Sequence, residues 1–234
     1  MWISLFLAAT AQGACTTSTL ATVAQQPAPA VLVLGERRGM QSDASRALRL
    51  VKRLRKKGPV TLAIQAVPVE HQPDIDAYEA GALTEEQLAL KLNLGNSWGF
   101  DGPGYQKLIR AGKALDINVV AAGVEAIPAP ATAIVPVPPA YMHVLGDPMG
   151  EHPIPVELEG RYTAMVAYVD HRVALRAVEA WGEQGYLVIF ADRLHVEGSK
   201  GISWQATMLT SSPALSVLLK ASDTPCYSGD IVLR

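Results

Sequence analysis

Four runs of aliphatic residues constrain the fold of this chain more than any other feature. They occupy residues 31–34, 60–67, 119–124 and 186–190. A run without a polar face is typical of a strand that is covered on both sides, as in a parallel sheet. Segments with helical spacing of apolar residues separate the runs. We therefore predict an α/β fold with a central, mostly parallel sheet flanked by helices.

Polar residues stand where these predicted strands end. Glu36 follows the first run, Gln65 lies within the second, and Glu125 follows the third. Asp192 and His195 come after the fourth run. Because the carboxyl ends of parallel strands meet at one edge of the sheet, where open α/β folds bind their ligands, we predict a pocket at that edge.

The composition along the chain divides it into three parts. Residues 1–14 resemble an export signal, because an apolar stretch precedes an Ala-x-Ala pattern. No Lys or Arg precedes the apolar stretch, as it does in most export signals. A buried first strand is the alternative. Residues 15–30 are rich in Thr, Ala, Gln and Pro, which indicates a flexible spacer. Residues 31–234 form the predicted single domain, with a proline-rich insertion at 127–155 and C-terminal edge strands within 204–234. We expect an exported protein, located in the periplasm or at the cell surface.

The chain contains two cysteines, Cys15 and Cys226, at its opposite ends. They can form a disulfide if the N-terminal region is retained. Alternatively, Gly13-Ala14-Cys15 resembles the end of a lipoprotein processing box, in which case Cys15 carries a lipid anchor and Cys226 stays unpaired.

The charge of the chain argues against nucleic acid as a partner, because the formal net charge is -2. One local basic run, residues 46–57, falls on a predicted helix. It has two interpretations, a solvated helix face or a surface that docks against an anionic partner.

Several short motifs occur in a fixed order along residues 31–203. The first strand ends in Gly35-Glu36, and a Trp-Gly pair stands at 98–99. The other motifs are YEAGALTEEQL at 78–88, Tyr105 with Leu108, INVVAAG at 117–123, DHRVA at 170–174 and His195. Together they resemble the ChaN-like haem-binding uptake family of the Tiki-type superfamily. The resemblance implies an α/β fold and a protein associated with haem or iron uptake.

The chain departs from the family pattern at the site itself. Arg38 stands where the family signature has His, Gln65 where the second strand carries Glu, and Leu194 where a Gly precedes the last His. Cations are bound by deprotonated oxygens and neutral nitrogens, so an amide in place of an acid and a guanidinium in place of an imidazole weaken a metal site. We infer that any metal centre of the superfamily is lost here.

The first hypothesis is therefore binding of a small anionic ligand such as haem, without catalysis. Haem iron takes His or Tyr ligands and propionates pair with Arg, so Tyr105, Tyr141 or His195 can hold the iron and Arg38 a propionate. The predicted ligand-binding residues are Glu36, Arg38, Gln65, Tyr105, Tyr141, Asp170 and His195. The oligomeric state is open, and a homodimer is one alternative.

The second hypothesis is a hydrolase that needs no metal, with Glu36 as general base and His195 as acid or oxyanion partner. A purely structural interpretation stands beside both hypotheses. In it Glu36 pairs with Arg38, Gln65 bridges strand ends, and His195 is a hydrogen-bonded core histidine.

Overall fold

A seven-stranded sheet forms the centre of the structure, a computed structural model that describes residues 15–37, 40–93, 102–124, 135–139, 141, 154–219 and 230–233. All the strand pairs are parallel, and the order across the sheet is β1-β7-β6-β2-β5-β3-β4. The strands are β1 (Thr16–Ser18), β2 (Ala30–Glu36), β3 (Val60–Pro68), β4 (Asn118–Gly123), β5 (Tyr186–Asp192), β6 (Ala214–Leu218) and β7 (Ile231–Leu233). The predicted α/β fold is confirmed, and the four aliphatic runs are β2, β3, β4 and β5.

Helices cover both faces of this sheet. They are α1 (Leu20–Val23), α2 (Gln41–Arg55), α3 (Gln72–Glu79), α4 (Glu85–Leu92), α5 (Gly102–Leu115), α6 (Val156–Trp181) and α7 (Ile202–Leu209). Single turns of 3-10 helix occupy Val69–His71, Arg193–His195 and Glu197–Ser199.

The side chains of β2 alternate between two apolar layers. Leu32 and Leu34 lie in a core with residues of α2, α4 and α5, which we call the α2/α5 face. Val31 and Val33 lie in a second core with residues of α6 and α7, which we call the α6/α7 face. Side chains two residues apart on a pleated strand point to the same face. Glu36, two residues after Leu34, therefore lies on the α2/α5 face.

The sheet edge at β4 is covered by one side chain. The Gln72 amide donates from Nε2 to the Val119 carbonyl (3.0 Å) and accepts at Oε1 from the Ala121 N–H (2.7 Å). The side chain thus reproduces the pairing of another strand, which protects an edge that would otherwise offer its backbone groups to other chains.

The N-terminal segment differs from the expected flexible spacer over residues 15–30. Strand β1 pairs with β7, with Thr16 opposite Ile231, and Val23 of α1 is buried in the α2/α5 core. A three-residue strand is too short to give a sequence periodicity, which is why the composition alone indicated a spacer. The C-terminal strands also differ from the expectation, since β6 lies between β2 and β7, and β1 flanks β7 on the other side.

Cys15, directly before β1, is disulfide-bonded. A lipid anchor on Cys15 would need the same sulfur, so the disulfide and the lipid anchor exclude each other. The chain has one other cysteine, Cys226, which lies outside the described residues.

Two further expectations fall mostly outside the described residues. Residues 1–14 are not described, and of the proline-rich insertion only residues 135–139, 141, 154 and 155 are. Within the described ranges, none of the helices is long and apolar enough to cross a membrane.

Candidate functional site at the carboxyl edge of the sheet

The strands bring the predicted site residues to the carboxyl edge of the sheet. Strands β2 and β5 are neighbours, with Glu36 opposite Asp192, and the turn that carries His195 follows β5 directly. Strand β3, with Gln65, lies on the other side of β5. Arg38 and Glu125 lie outside the described residues.

Glu36 and Tyr105 form a buried pair on the α2/α5 face. Each residue is only 2% exposed, and the Tyr105 hydroxyl donates a hydrogen bond to Glu36 Oε1. The Tyr105 ring packs edge-on against Phe190 of β5, with the ring centroids 6.1 Å apart. Helix α5 therefore supplies both a donor to the carboxylate and an apolar wall behind it.

Asp170 is the centre of a second cluster, on the α6/α7 face. Its carboxylate is fully buried, and Oδ1 lies 2.6 Å from Nδ1 of His195. The Tyr141 hydroxyl donates to the other oxygen, Oδ2. We call Tyr141, Asp170 and His195 the Asp170 cluster.

Burial raises the pKa of Asp170, and the charge of His195 and its hydrogen bond oppose that rise. A carboxyl group without water loses the solvation of its charged form, so its ionised state depends on the neighbouring donors. The imidazole of His195 and the hydroxyl of Tyr141 are those donors. The Asp170 carboxyl and the His195 imidazole are therefore electrostatically coupled.

Gly201 allows the main chain of His195 to approach α7. A Cβ at this position would lie 2.1 Å from the His195 carbonyl oxygen and 3.2 Å from Asp170 Oδ2. No side chain fits such distances, so glycine at 201 is required for the present position of the His195 segment.

Gln65 connects two strand ends. Its Oε1 accepts a hydrogen bond from the backbone N–H of Asp192 (2.8 Å), just beyond Ile64, where the backbone pairing of β3 with β5 ends. This is the contact that the structural interpretation of Gln65 predicts, a hydrogen bond that bridges two strand ends. The Asp192 side chain in turn accepts from the Leu194 N–H (3.0 Å), which starts the turn that carries His195.

The sheet separates these groups into two sets. Glu36 and Tyr105 lie on the α2/α5 face, whereas Tyr141, Asp170 and His195 lie on the side of α6. All six described site residues thus gather at one edge. Glu36 and His195, the two residues of the hydrolase hypothesis, belong to different sets.

Two ion pairs near this edge were not predicted from the sequence. Arg37 holds the buried Asp43 at the start of α2, with its backbone N–H and Nε both 3.0 Å from Oδ2 and a guanidinium nitrogen 2.9 Å from Oδ1. These contacts raise the pKa of Arg37 above its ordinary value. The second pair joins Arg193 and Glu197, four residues apart. Both pairs share one sequence signal. An arginine directly follows a strand, and an acid stands in the first turn of a helix that comes after it.

No group of three or more His, Cys, Asp or Glu side chains that could hold a metal ion occurs among the described residues. His143 and His152 of the proline-rich insertion are not among them.

Comparison with known proteins connects this fold to one family. The family model described as haem-binding uptake, Tiki superfamily, ChaN, matches residues 22–133. No curated protein sequence matches the chain.

Three solved structures share the fold. The structure described as cofacial heme binding to ChaN of Campylobacter jejuni has a TM-score of 0.65 at 14% identity, over 83% of this chain and 82% of that one. The type III effector HopBA1 has a TM-score of 0.53 at 12% identity, over 87% of each chain. The C-terminal region of the Pasteurella multocida toxin, described as carrying a thiol-protease-like catalytic triad, has a TM-score of 0.52 at 16% identity, over 86% of this chain and 25% of that one.

The fold class is thus a parallel α/β domain of the kind found in ChaN, in a type III effector and in a region of a bacterial toxin. Within that class, the resemblance to the ChaN-like family of the Tiki superfamily is confirmed by the sequence match and by the fold.

Proposed function

We propose that this chain is an exported, haem- or iron-uptake-associated ligand-binding protein that holds haem through His195 and has no intact metal centre. The observation that carries the proposal is the Asp170 cluster, which fixes an imidazole at the carboxyl edge of the sheet.

The residues fit a haem ligand in one specific way. A histidine that binds a metal usually donates its second ring N–H to a carboxylate or carbonyl, which fixes the ring and the tautomer. Asp170 is such a carboxylate, 2.6 Å from Nδ1 of His195. When Nδ1 carries the proton, Nε2 is the ring nitrogen with a free lone pair for a metal. The His195 side chain is 15% exposed, so the imidazole lies close to the surface while its partner is fully buried. A bound haem would supply an iron, and His195 is the residue that would hold it through Nε2.

The two tyrosine candidates are less suited to this role. Tyr105 and Tyr141 are each 2% exposed, and both hydroxyls donate to buried carboxylates. An iron-bound tyrosine must release its proton and turn its oxygen to the metal. That change would break the contacts of Glu36 or Asp170, so we assign the iron to His195 and structural roles to the tyrosines.

Binding rather than catalysis is supported by the contacts of Glu36 and Gln65. The Glu36 carboxylate accepts from Tyr105 in a buried position, and the Gln65 oxygen accepts from the Asp192 backbone. In these positions both side chains hold the edge together. Metal analysis of the purified protein tests the proposed lack of a metal centre: a tightly held transition metal that is lost in Glu36→Ala would contradict it.

Export is supported by the disulfide of Cys15, since disulfides persist in oxidising compartments outside the cytosol. The proposal is a location in the periplasm or at the cell surface without a lipid on Cys15. Intact mass of the exported protein tests it, because an acyl group on Cys15 would contradict it. A homodimer is a further part of the proposal, and light scattering of the purified protein with and without haemin tests it.

Titration with haemin tests the central proposal. We expect a Soret shift at micromolar haemin with the wild type, and its loss in His195→Ala. His171→Ala is the matched control, because His171 also lies on the α6/α7 side and contacts a side chain, Gln205, at 3.1 Å. Equal spectra for wild type and His195→Ala would contradict the assignment.

The second candidate function is a hydrolase, and the observation that favours it is the same Asp170–His195 pair. A carboxylate that orients an imidazole also fixes a histidine that can act as a general acid, beside Glu36 as the general base. Thiol-protease chemistry, which the triad of the Pasteurella toxin region resembles, would need a thiolate, and Cys15 is disulfide-bonded. Glu36 and His195 are the catalytic candidates. Activity on ester and peptide substrates that is lost in both Glu36→Gln and His195→Gln would favour this function over binding.

A further inference from the structure

A basic pocket lies at the opposite, amino edge of the sheet. Helix α2 starts after the carboxyl end of β2 and runs back, so its last turn ends near the start of the strands. There it borders a cavity of about 450 Å³. The cavity is lined by Ala24, Gln25, Lys52, Arg53, Lys56 and Lys57.

Four of these six lining residues are cations, and none is an acid. Other basic residues of the same segment have partners: Arg55 pairs with Asp116 (3.1 Å), and Arg46 donates to a backbone carbonyl. Within the part of the chain that the structure describes, no acid pairs with Lys52, Arg53 or Lys56. The pocket therefore carries an excess of positive charge.

Lys57 has a fixed position in this pocket. Its ammonium donates to the carbonyls of Ala24 (2.9 Å) and Gln26 (3.1 Å) and lies 5.8 Å from the centre of the Tyr186 ring. These contacts join the end of α2 to the segment after α1 and hold the two walls of the pocket together. Lys57 thus fixes the shape of the pocket, and Lys52, Arg53 and Lys56 add exposed positive charges to its helix wall.

The helix dipole accounts for only part of this charge. A helix C-terminus carries about half a negative elementary charge, which favours nearby cations. Four side-chain charges exceed that value several-fold, and Lys52 and Lys56 are neighbours on the helix surface at a spacing of four, where like charges repel. Because the Lys57 ammonium is bound to carbonyls, the charges available to a ligand are those of Lys52, Arg53 and Lys56.

We propose that this pocket binds a ligand with a phosphate-type polyanionic group. Lysine ammonium groups and an arginine fork are the usual partners of phosphate oxygens, and the volume suits a small ligand. The group can belong to a soluble phosphate compound or to a lipid headgroup. The site is distinct from the proposed haem site, which lies at the other end of the strands.

Binding of inorganic pyrophosphate and of lipid vesicles to the haem-free protein tests the inference. Calorimetry measures pyrophosphate binding, and sedimentation measures binding to vesicles of phosphatidylcholine with and without phosphatidylglycerol. The test variant is Lys52→Glu/Lys56→Glu. Lys107→Glu/Arg172→Glu is the matched control, because it changes the net charge equally at exposed positions outside the pocket.

We expect saturable binding of one pyrophosphate per wild-type and control chain, and at least about tenfold weaker binding in the test variant. Binding to phosphatidylglycerol vesicles alone, lost in the test variant, also supports the inference and identifies the source as a lipid headgroup. Binding of neither probe, or equal binding by all three proteins, would overturn it. Unfolding curves of the two variants verify that both are folded.

Discussion

The two buried carboxylates of the candidate site differ in the contacts described above. Glu36, on the α2/α5 face, accepts from the phenol of Tyr105. Asp170, on the α6/α7 face, accepts from a phenol as well and also contacts the imidazole of His195, a group that can carry a charge.

This difference separates structural support from ligand chemistry. A phenol stabilises a carboxylate but keeps its proton near neutral pH, whereas an imidazole can take up a proton or bind a metal. The Glu36–Tyr105 pair therefore fixes α5 against the sheet, and the Asp170 cluster presents a reactive group at the edge. Substitutions on the two faces test this separation.

The largest expected effect is that of Asp170→Ala. It leaves His195 and Tyr141 without their common acceptor in a fully buried position, and we expect the free energy of unfolding to fall by about 3 to 5 kcal/mol. Urea unfolding measures this. Asp116→Asn is the control, because that side chain is 96% exposed, its ion pair with Arg55 is worth under about 1 kcal/mol, and Asn tolerates the positive φ of 51° at this position. A loss no larger than that of the control would mean that the cluster does not hold α6 to the edge.

The next effect is a difference in coupling. Tyr105→Phe and Tyr141→Phe each remove a donor to a buried carboxylate and should cost about 1.5 to 3 kcal/mol. Tyr141→Phe and His195→Gln act on the same carboxylate, so their effects should be non-additive by at least about 0.5 kcal/mol. Tyr105→Phe and His195→Gln act on opposite faces of the sheet and should be additive. Equal coupling in the two double-mutant cycles would remove the distinction between the faces.

A smaller effect concerns pH. In His195→Gln the group that opposes the raised pKa of Asp170 is gone, so the folded state binds the carboxyl proton more tightly than the unfolded chain. That contribution is fully present below the ordinary value of 3.8 and is lost as the pH rises through the raised folded value. As the pH rises, the stability of His195→Gln should fall by up to about 1.4 kcal/mol per pH unit. The reference is His195→Gln/Asp170→Asn, which has no titrating group at position 170. Unfolding curves of both proteins at a series of pH values from 3.8 upward measure the difference, and parallel pH profiles would contradict it.

The smallest effect is that of Gln65→Met, which removes the acceptor of the Asp192 N–H at the strand end. We expect a loss of about 1 kcal/mol, the usual value of one neutral hydrogen bond. Gln25→Met, at an exposed position, is the control for the change of residue type. A Gln65→Met protein as stable as the control would indicate that water replaces the amide.

Much of the fold could be predicted from the sequence, because buried parallel strands leave uninterrupted aliphatic runs. The edge at which Glu36, Gln65 and His195 gather followed from the same runs, since parallel strands end on one side. The side of the sheet on which Glu36 lies also follows from the sequence, because Leu32, Leu34 and Glu36 alternate with the residues of the other face.

The partners within the site could not be predicted in the same way. Tyr105 is 69 residues from Glu36 and Asp170 is 25 residues from His195, and such contacts depend on how helices pack rather than on any local pattern. Strand β1 was missed because three residues give no periodicity. The Arg37–Asp43 pair was missed because an arginine beside a strand end can reach several acids, and the sequence does not say which one it meets.

Rescue of haem binding by free imidazole tests the central claim most directly. His195→Gly removes the imidazole but keeps the backbone, and Asp170 remains as the partner that would hold a free imidazole in the vacated space. We predict that haemin gives the wild-type Soret spectrum with His195→Gly only when imidazole is added, and that the added Asp170→Asn change weakens this rescue. A wild-type spectrum in His195→Gly without imidazole would contradict the assignment of His195 as the iron ligand.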